Sequence, residues 1–169
     1  MDKESKYQRF VHTFDPIYSN ESNILILGSF PSVKSRENNF FYGHPQNRFW
    51  KVISSVFESQ VPNTIAEKKE FLYNSKIALW DTIHSCDIIG SSDSSIKNVI
   101  PSNINIILNT SDIKAVFTNG TASYKLYMKY CFSSTNREAI KLPSTSPANA
   151  AFSLEKLTSI WTEEIKKYI

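Results

Sequence analysis

The residues best placed for chemistry follow apolar runs that stop abruptly. Ile24, Leu25, Ile26 and Leu27 run into Gly28, and Ser29, Phe30, Pro31 and Ser32 come next. A second run, Ile77 to Trp80, stops at Asp81, whose carboxylate can accept a hydrogen bond at a strand's end. Between Pro31 and Lys51 four cations, Lys34, Arg36, Arg48 and Lys51, stand against a single acid, Glu37. On a surface loop that imbalance attracts phosphate. A late Pro/Ser stretch, Pro143-Ser144-Thr145-Ser146-Pro147-Ala148-Asn149, forms the loop after the last apolar run. The chemistry on offer is binding of a polyanion beside a carboxylate. Plainer readings stand alongside it: a solvated basic loop, Asp81 capping the turn after its strand, Asn47 capping the helix after it, and a rigid turn at Pro143.

These groups can meet only if the apolar runs are neighbouring strands of one sheet. Strands are expected at Ile24–Gly28, Ile77–Trp80, Ile113–Thr118 and Ala139–Leu142, each followed or preceded by helical periodicity. Helices are expected from Arg48 to Phe57 with Asn47 at the cap, and from a capping box at Thr64 and Glu67 to about Asn74. Others fall around Ile104, Ile107 and Leu108, from Tyr124 to Tyr130, and in the amphipathic stretch from Leu154 to Tyr168. Tyr7, Phe10, Val11 and Phe14 suggest a short amphipathic helix, residues 29–46 an irregular loop, and residues 90–95 another loop, with no strand expected at residues 83–87. Strands alternating with helices imply right-handed crossovers and an α/β fold, a three-layer α/β/α sandwich around a central, mainly parallel four-stranded sheet. In such a sheet ligands bind outside the carboxyl ends of the strands, where all these loops fall.

Composition limits the alternatives. A chain of 169 residues, 41% hydrophobic and 13% aromatic, suits one domain over residues 1–169 with a real core. The start is charged and polar at Asp2, Lys3, Glu4, Lys6 and Arg9, unlike a signal peptide, and no apolar run approaches the roughly 18 residues of a membrane span. A soluble intracellular protein is expected. Cys86 and Cys131 are the only cysteines and lie outside any metal-ligand spacing. Only four glycines are present, and Gly28 and Gly120 both fall at strand ends.

Three segments carry a family resemblance. Gly28-Ser29-Phe30-Pro31-Ser32, His44-Pro45-Gln46-Asn47-Arg48-Phe49-Trp50 and Leu142-Pro143-Ser144-Thr145-Ser146-Pro147 resemble the motifs of the uracil-DNA glycosylase superfamily, closest to its hypoxanthine-DNA (deoxyinosine) glycosylase branch. The resemblance implies an α/β/α fold, damaged DNA as partner, no cofactor and no metal. A monomer in the cytoplasm is expected, associated with the nucleoid in a prokaryote or the nucleus in a eukaryote. Phe30 stands where the mismatch-specific branch carries a catalytic asparagine, and an apolar side chain cannot position water. In the hypoxanthine branch that role belongs to the asparagine of the HPxN motif, which matches Asn47. An amide is no general base near neutral pH, but it can hold a water or donate to a base heteroatom.

Asn47 is thus expected as catalytic through the resemblance, and His44 and Asp81 through the chemistry of their side chains. Gly28, Ser29, Phe30, Pro31, Tyr42 and Asn119 fall to the substrate, and Lys34, Arg36, Ser144, Thr145, Ser146 and Asn149 to DNA. Tyr42 matches a base-stacking aromatic and has core packing as its plainer role. His44 can donate to a phosphate or base, or merely shape a turn with Pro45. Asp81 suits the N1–H of hypoxanthine, where adenine has only a lone pair; guanine has the same N1–H, so this contact alone does not reject it. Ser146 stands where the mismatch-specific branch has a leucine or arginine wedge. The function expected is removal of a deaminated base, first hypoxanthine, by base flipping and a monofunctional glycosylase step. A uracil or mismatch glycosylase, a lesion-binding protein without turnover and an unrelated nucleotide-binding α/β domain remain the alternatives.

Overall fold

The computed structural model describes residues 6–169, so the charged positions Asp2, Lys3 and Glu4 lie outside the described residues. The order is β1 (Gln8–Val11), β2 (Ile24–Gly28), α1 (Val33–Asn38), α2 (Phe49–Val56), α3 (Ile65–Asn74), β3 (Ile77–Asp81) and β4 (Ile83–Ile88). There follow β5 (Lys97–Pro101), α4 (Asn105–Leu108), β6 (Ala115–Asn119), α5 (Thr121–Tyr130), α6 (Phe132–Thr135), β7 (Ala139–Leu142) and α7 (Leu154–Ile165). Four strands form a parallel sheet in the order β3-β2-β6-β7, flanked by helices as an α/β/α sandwich. β2 and β3 are buried along their whole length, which is why they read as unbroken apolar runs. The chain runs outward from β2 to β3 and then crosses to β6 on β2's other side. The sheet therefore reverses direction at β2, where a crevice opens beyond the strand ends.

Register sets the floor of that crevice. Gly28 pairs with Asp81, and the end of β6 brings Asn119 alongside. A side chain on Gly28 would collide with the Asp81 carboxylate and crowd the Tyr42 hydroxyl at 3.1 Å, so the glycine makes room for the acid. Gly120 turns the chain from β6 into α5 at φ +98°, and a Cβ there would lie 3.0 Å from Ser144. A glycine satisfies both demands.

Three expectations from the sequence are corrected. Residues 8–11 are a strand, not a helix: β1 pairs antiparallel with β4, which pairs antiparallel with β5 in a separate three-stranded sheet. The spacing of Tyr7, Phe10, Val11 and Phe14 misleads because the apolar groups serve different surroundings. Phe10 packs on the antiparallel sheet's small core, Phe14 on the main core, and Val11 is exposed. Residues 83–88 are likewise strand, and their alternation is broken by shifts of register against β5 that leave both Ser85 and Cys86 buried. The loop after β2 contains α1, started by Ser32, whose side chain accepts from Ser35 N, and stopped at Asn39 in the left-handed region. The helix from Thr64 forms as read, with Thr64 accepting from Glu67 N and Glu67 accepting from Asn63 N rather than from Thr64 itself.

Candidate active site

A cavity of about 350 Å³ opens at the carboxyl edge of the parallel sheet. It is lined by twelve of the expected residues: Gly28, Ser29, Phe30, Pro31, Tyr42, His44, Asn47, Asp81, Asn119, Ser144, Thr145 and Ser146. Asn149 instead lines an adjoining cavity of about 540 Å³, which shares Asp93, Asn119, Ser144, Ser146 and Ala148 with the first. Lys34 and Arg36 line neither.

One wall is built of neutral groups whose hydrogen-bond polarity is fully determined. The backbone N–H of Thr145 donates to Asn119 Oδ1 at 3.0 Å, which turns the Asn119 Nδ2 toward Thr145 Oγ1 at 2.9 Å. That hydroxyl, already accepting, donates to Asn47 Oδ1 at 2.9 Å. The same Asn47 oxygen accepts from Phe49 N at 2.9 Å, capping the start of α2. Because a backbone N–H can only donate, neither amide can be flipped without losing a bond. The N-cap position of α2 is Arg48 rather than the expected Asn47, but Asn47, one residue earlier, still satisfies the first N–H of the helix and lines the cavity at once. Its oxygen is doubly occupied, and its Nδ2 makes no hydrogen bond among the described residues.

Arg48 holds this wall together. Its guanidinium donates to the carbonyls of Ser146 (2.8 Å), Asn149 (3.1 Å) and Phe152, and its backbone N–H to Thr145 O at 3.1 Å. Arg48 lies within the His44–Trp50 motif, but the sequence gives its side chain no role of its own; in the structure it ties the start of α2 to the whole 143–152 loop. Thr145 is corrected here: fully buried, with its hydroxyl spent between Asn119 and Asn47, it cannot reach a phosphate. Ser144 Oγ and Ser146 Oγ each accept from a backbone N–H two residues on, so they shape the loop's turns. Asn149 Nδ2 closes it onto Ser144 O.

The opposite wall carries charge. Asp81 is buried, and its Oδ2 lies 2.8 Å from Nε2 of His12, a residue from the end of β1 packed among Phe14, Phe30 and Phe41. Oδ1 of Asp81 has no hydrogen-bond partner among the described residues and lies on the Gly28 side. A second carboxylate, Asp93, reaches the cavity from the short turn Asp93–Ser95 before β5, accepting from Ser29 Oγ at 2.9 Å. Solvent reaches much of the Asp93 residue, but protein crowds its carboxylate and raises its pKa. The Ser29 hydroxyl offsets part of that rise and the charge of Asp81 adds to it. Neither His12 nor Asp93 is marked in the sequence as a site residue. His12 depends on the β1–β4 pairing, whereas Asp93 at least sits in the visible serine-rich stretch Gly90 to Ser95.

Tyr42 spans the two walls. Its ring stacks on Phe49 at 4.1 Å, and its backbone sits at φ +53°, a costly conformation for a bulky aromatic. Burial, with Asp81 and Asp93 nearby, pushes its phenol pKa up despite the Asn119 amide, keeping the hydroxyl protonated. His44 accepts from Gln46 N through Nδ1 at 3.1 Å, which leaves Nε2 as a donor.

The basic segment divides. Lys34 is exposed and pairs only with Glu37, at 3.3 Å. Arg36 is half-buried and donates to Pro31 O and Gly90 O, both at 3.0 Å, with its guanidinium 4.2 Å from the Phe10 ring centroid. Desolvation lowers its pKa. Phe30, 7% exposed, faces the cavity and also plugs the small core formed with Ile83, Cys86 and Ile88. Among the described residues no group of three or more His, Cys, Asp or Glu is arranged to hold a metal ion, and no helix is long and apolar enough to cross a membrane.

The comparisons agree with this geometry. The family model of the uracil DNA glycosylase superfamily matches residues 16–164. A hypoxanthine DNA glycosylase of Methanosarcina barkeri is 30% identical over 158 residues, covering 91% of this chain and 97% of that protein. Another, from Methanosarcina acetivorans, is 34% identical over 84 residues, 49% of this chain and 53% of that protein. A solution NMR structure from Methanosarcina acetivorans, described provisionally as a uracil DNA glycosylase, superposes with a TM-score of 0.74 at 25% identity, covering 89% of this chain and 95% of that chain. A sheet that reverses at β2, a cavity at its carboxyl edge and a match along most of the chain make this protein a member of the uracil DNA glycosylase superfamily, a DNA glycosylase hydrolysing N-glycosyl bonds.

Proposed function

We propose that the chain removes hypoxanthine from deoxyinosine in DNA. The observation that carries this reading is the pairing, across one cavity, of a free amide donor, Asn47 Nδ2, with a free buried acceptor, Asp81 Oδ1. Hypoxanthine presents a carbonyl acceptor beside an N1–H donor, the complementary pair. Adenine presents a lone pair at N1, which the carboxylate repels. The names of the two Methanosarcina relatives point to the same base. Uracil also offers a carbonyl beside an N–H, so a uracil glycosylase is the second reading.

In the proposed reaction the nucleotide leaves the duplex stack, at a cost of a few kcal/mol that is smaller for a mispaired base. The base lies against Tyr42 with its N1–H on Asp81. As the glycosidic bond stretches, negative charge gathers on the base and positive charge on the sugar. Asn47 Nδ2 donates to the base where that charge grows, and its fixed orientation means that no reorganisation is needed then. His44 Nε2–H is a second donor, to the base or a flanking phosphate. Among the described residues no lysine lines this cavity, and Lys141 lines the adjoining one. Ser144, Ser146 and Asn149, on the loop clamped by Arg48, face the DNA backbone, and Lys34 adds charge.

A panel of duplexes, each with one hypoxanthine, uracil, xanthine or mismatched base, tests the reading by chromatography of the released base. Free hypoxanthine should appear fastest, leaving an abasic strand intact until alkali is added. Release of uracil alone would favour the second reading, and tight lesion binding without release of any base would remove the catalytic one.

A further inference from the structure

The hydrolysis needs a water held beside the sugar and a group to take its proton. Asn47, whose oxygen already accepts two hydrogen bonds, is not that group, and Phe30 has no polar side-chain atom. His44 is excluded as well, because the nitrogen that could accept is occupied by Gln46 N–H. The hydroxyls lining the cavity take no proton near neutral pH. Two carboxylates remain. Asp81 gives one oxygen to His12 and, in the function proposed above, the other to the base.

Asp93 differs on each count. Only one of its oxygens is engaged, and by a neutral hydroxyl, Ser29 Oγ at 2.9 Å. It lines both cavities, and solvent reaches the residue. It is carried by the antiparallel sheet and so approaches from outside the sheet edge that supplies Asp81 and Asn119. We infer that Asp93 is the catalytic base of this glycosylase, holding and deprotonating the water that attacks the sugar, with Ser29 as the residue that positions its carboxylate.

The step balances without a further reactant. The C1′–N9 bond breaks and its electron pair leaves with the base. The water oxygen bonds to C1′ and loses a proton to Asp93. The departing base anion takes up one proton, and Asp93 returns its own to solvent. Crowding of the carboxylate, with Asp81 nearby, raises its pKa toward the working pH, as a general base requires. The titratable groups facing Asp93 are the Asp81 carboxylate, the Tyr42 phenol and the Cys86 thiol. Burial lifts the thiol to about 11 and the phenol is also pushed up, so both stay neutral. Arg36, the cation of the same loops, is tied to the carbonyls of Pro31 and Gly90.

The inference rests on the proposed function but is tested separately, using whichever lesion the wild type turns over fastest. Asp93→Asn keeps an oxygen for Ser29 and should lower single-turnover release by roughly 10²- to 10⁴-fold, the usual reach of general base catalysis. Affinity for the lesion duplex should not change. In the wild type the rate should fall as pH drops through the Asp93 pKa, and that limb should flatten in Asp93→Asn but persist in Asp81→Asn. Formate should restore part of the rate of Asp93→Ala by putting a small carboxylate in the vacated space. Wild-type release by Asp93→Asn, or a loss that keeps the acid limb and is not rescued by formate, would overturn the assignment while leaving the substrate reading standing. Wild-type release of uracil in place of hypoxanthine would do the reverse. No release of any base by the wild type would remove both.

Discussion

The two walls of the cavity solve different problems with different chemistry. The amide wall, Asn119–Thr145–Asn47, is neutral, and each of its hydrogen bonds has one possible direction because backbone N–H groups anchor both ends. The carboxylate wall, Asp81 with His12 and Asp93 with Ser29, carries ionisable groups in contact with few partners. A neutral network with assigned polarity fixes where a donor points and does not respond to pH. Acids crowded by protein respond to pH and to each other. Each wall also has its own arginine: Arg48 pins the 143–152 loop to α2, and Arg36 pins Pro31 to Gly90 beneath Phe10. Substitutions on the first wall should change rates equally at every pH, and those on the second should change the shape of the pH profile or the choice of base.

Asp93 aside, Asn47→Ala should show the largest effect. Losing a preorganised donor in an enclosed site typically costs roughly 100- to 1,000-fold in rate, while the lost cap on α2 costs only about 1 kcal/mol of stability. Single-turnover release and thermal unfolding on one preparation separate the two roles. A variant that is slightly less stable and excises at the wild-type rate would leave Asn47 a helix cap and deprive the amide wall of its catalytic meaning.

Asp81→Asn should come next, slowing hypoxanthine release by about 1 to 3 kcal/mol of barrier, the cost of leaving a group poorly paired in a buried site. The amide must turn its oxygen toward the base and present its NH₂ to His12, whose Nε2 now faces a donor. The comparison sharpens if competition between hypoxanthine and adenine duplexes is measured, because the asparagine no longer repels a lone pair at N1. Wild-type rate and discrimination in folded Asp81→Asn would take base reading away from the carboxylate wall.

Thr145→Val tests whether the relay matters beyond packing. Valine fills the same volume but leaves Asn119 Nδ2 and one lone pair of Asn47 Oδ1 unmatched, at about 1 to 3 kcal/mol of stability for the buried donor. The Asn47 amide is then held by Phe49 N alone, and the single-turnover rate should fall about tenfold, with Thr145→Ser restoring most of it. A stability loss with an unchanged rate would make Thr145 a structural residue only.

The walls also differ in how far they can be read from sequence. The parallel strands announce themselves as buried apolar runs, and the rule that ligands sit beyond their carboxyl ends leads directly to Gly28, Asp81 and Asn119. Tyr42 and Asn47 carry motif signals, and Asn47 reads as both cap and site residue, which its geometry combines. On the carboxylate wall only Asp81 was legible; His12 and Asp93 were hidden because the sheet that supports them was. β1 is a four-residue, largely exposed strand with one half-buried side chain, and β4 loses its alternation where its register against β5 shifts. A histidine that reaches Asp81 only through that pairing has no local signature. Thr145 illustrates the converse, since a hydroxyl in a Pro/Ser loop reads as a phosphate contact until burial shows that it faces inward.

The smallest effect separates two cations that look alike in sequence. Lys34 is exposed, its partner Glu37 is equally exposed, and a surface pair of that kind holds the ammonium by at most about 1 kcal/mol. It can exchange Glu37 for a DNA phosphate at little cost. Arg36 has no such freedom, because leaving its site would abandon two carbonyls and the face of Phe10. If Lys34 makes one phosphate contact, Lys34→Ala should reduce the slope of log K against log salt by about 0.9 for duplex DNA. Arg36→Ala should leave the slope near its wild-type value and instead lower stability by about 1 to 3 kcal/mol, since the carbonyls of Pro31 and Gly90 lose their charged donor. The Arg36 variant should also loosen the turn that carries Asp93, so its excision rate should fall further than that of Lys34→Ala at saturating enzyme. Equal slope changes for the two variants, with Arg36→Ala as stable as the wild type, would mean that Arg36 leaves Pro31 and Gly90 for the DNA, and the carboxylate wall would lose its clamp.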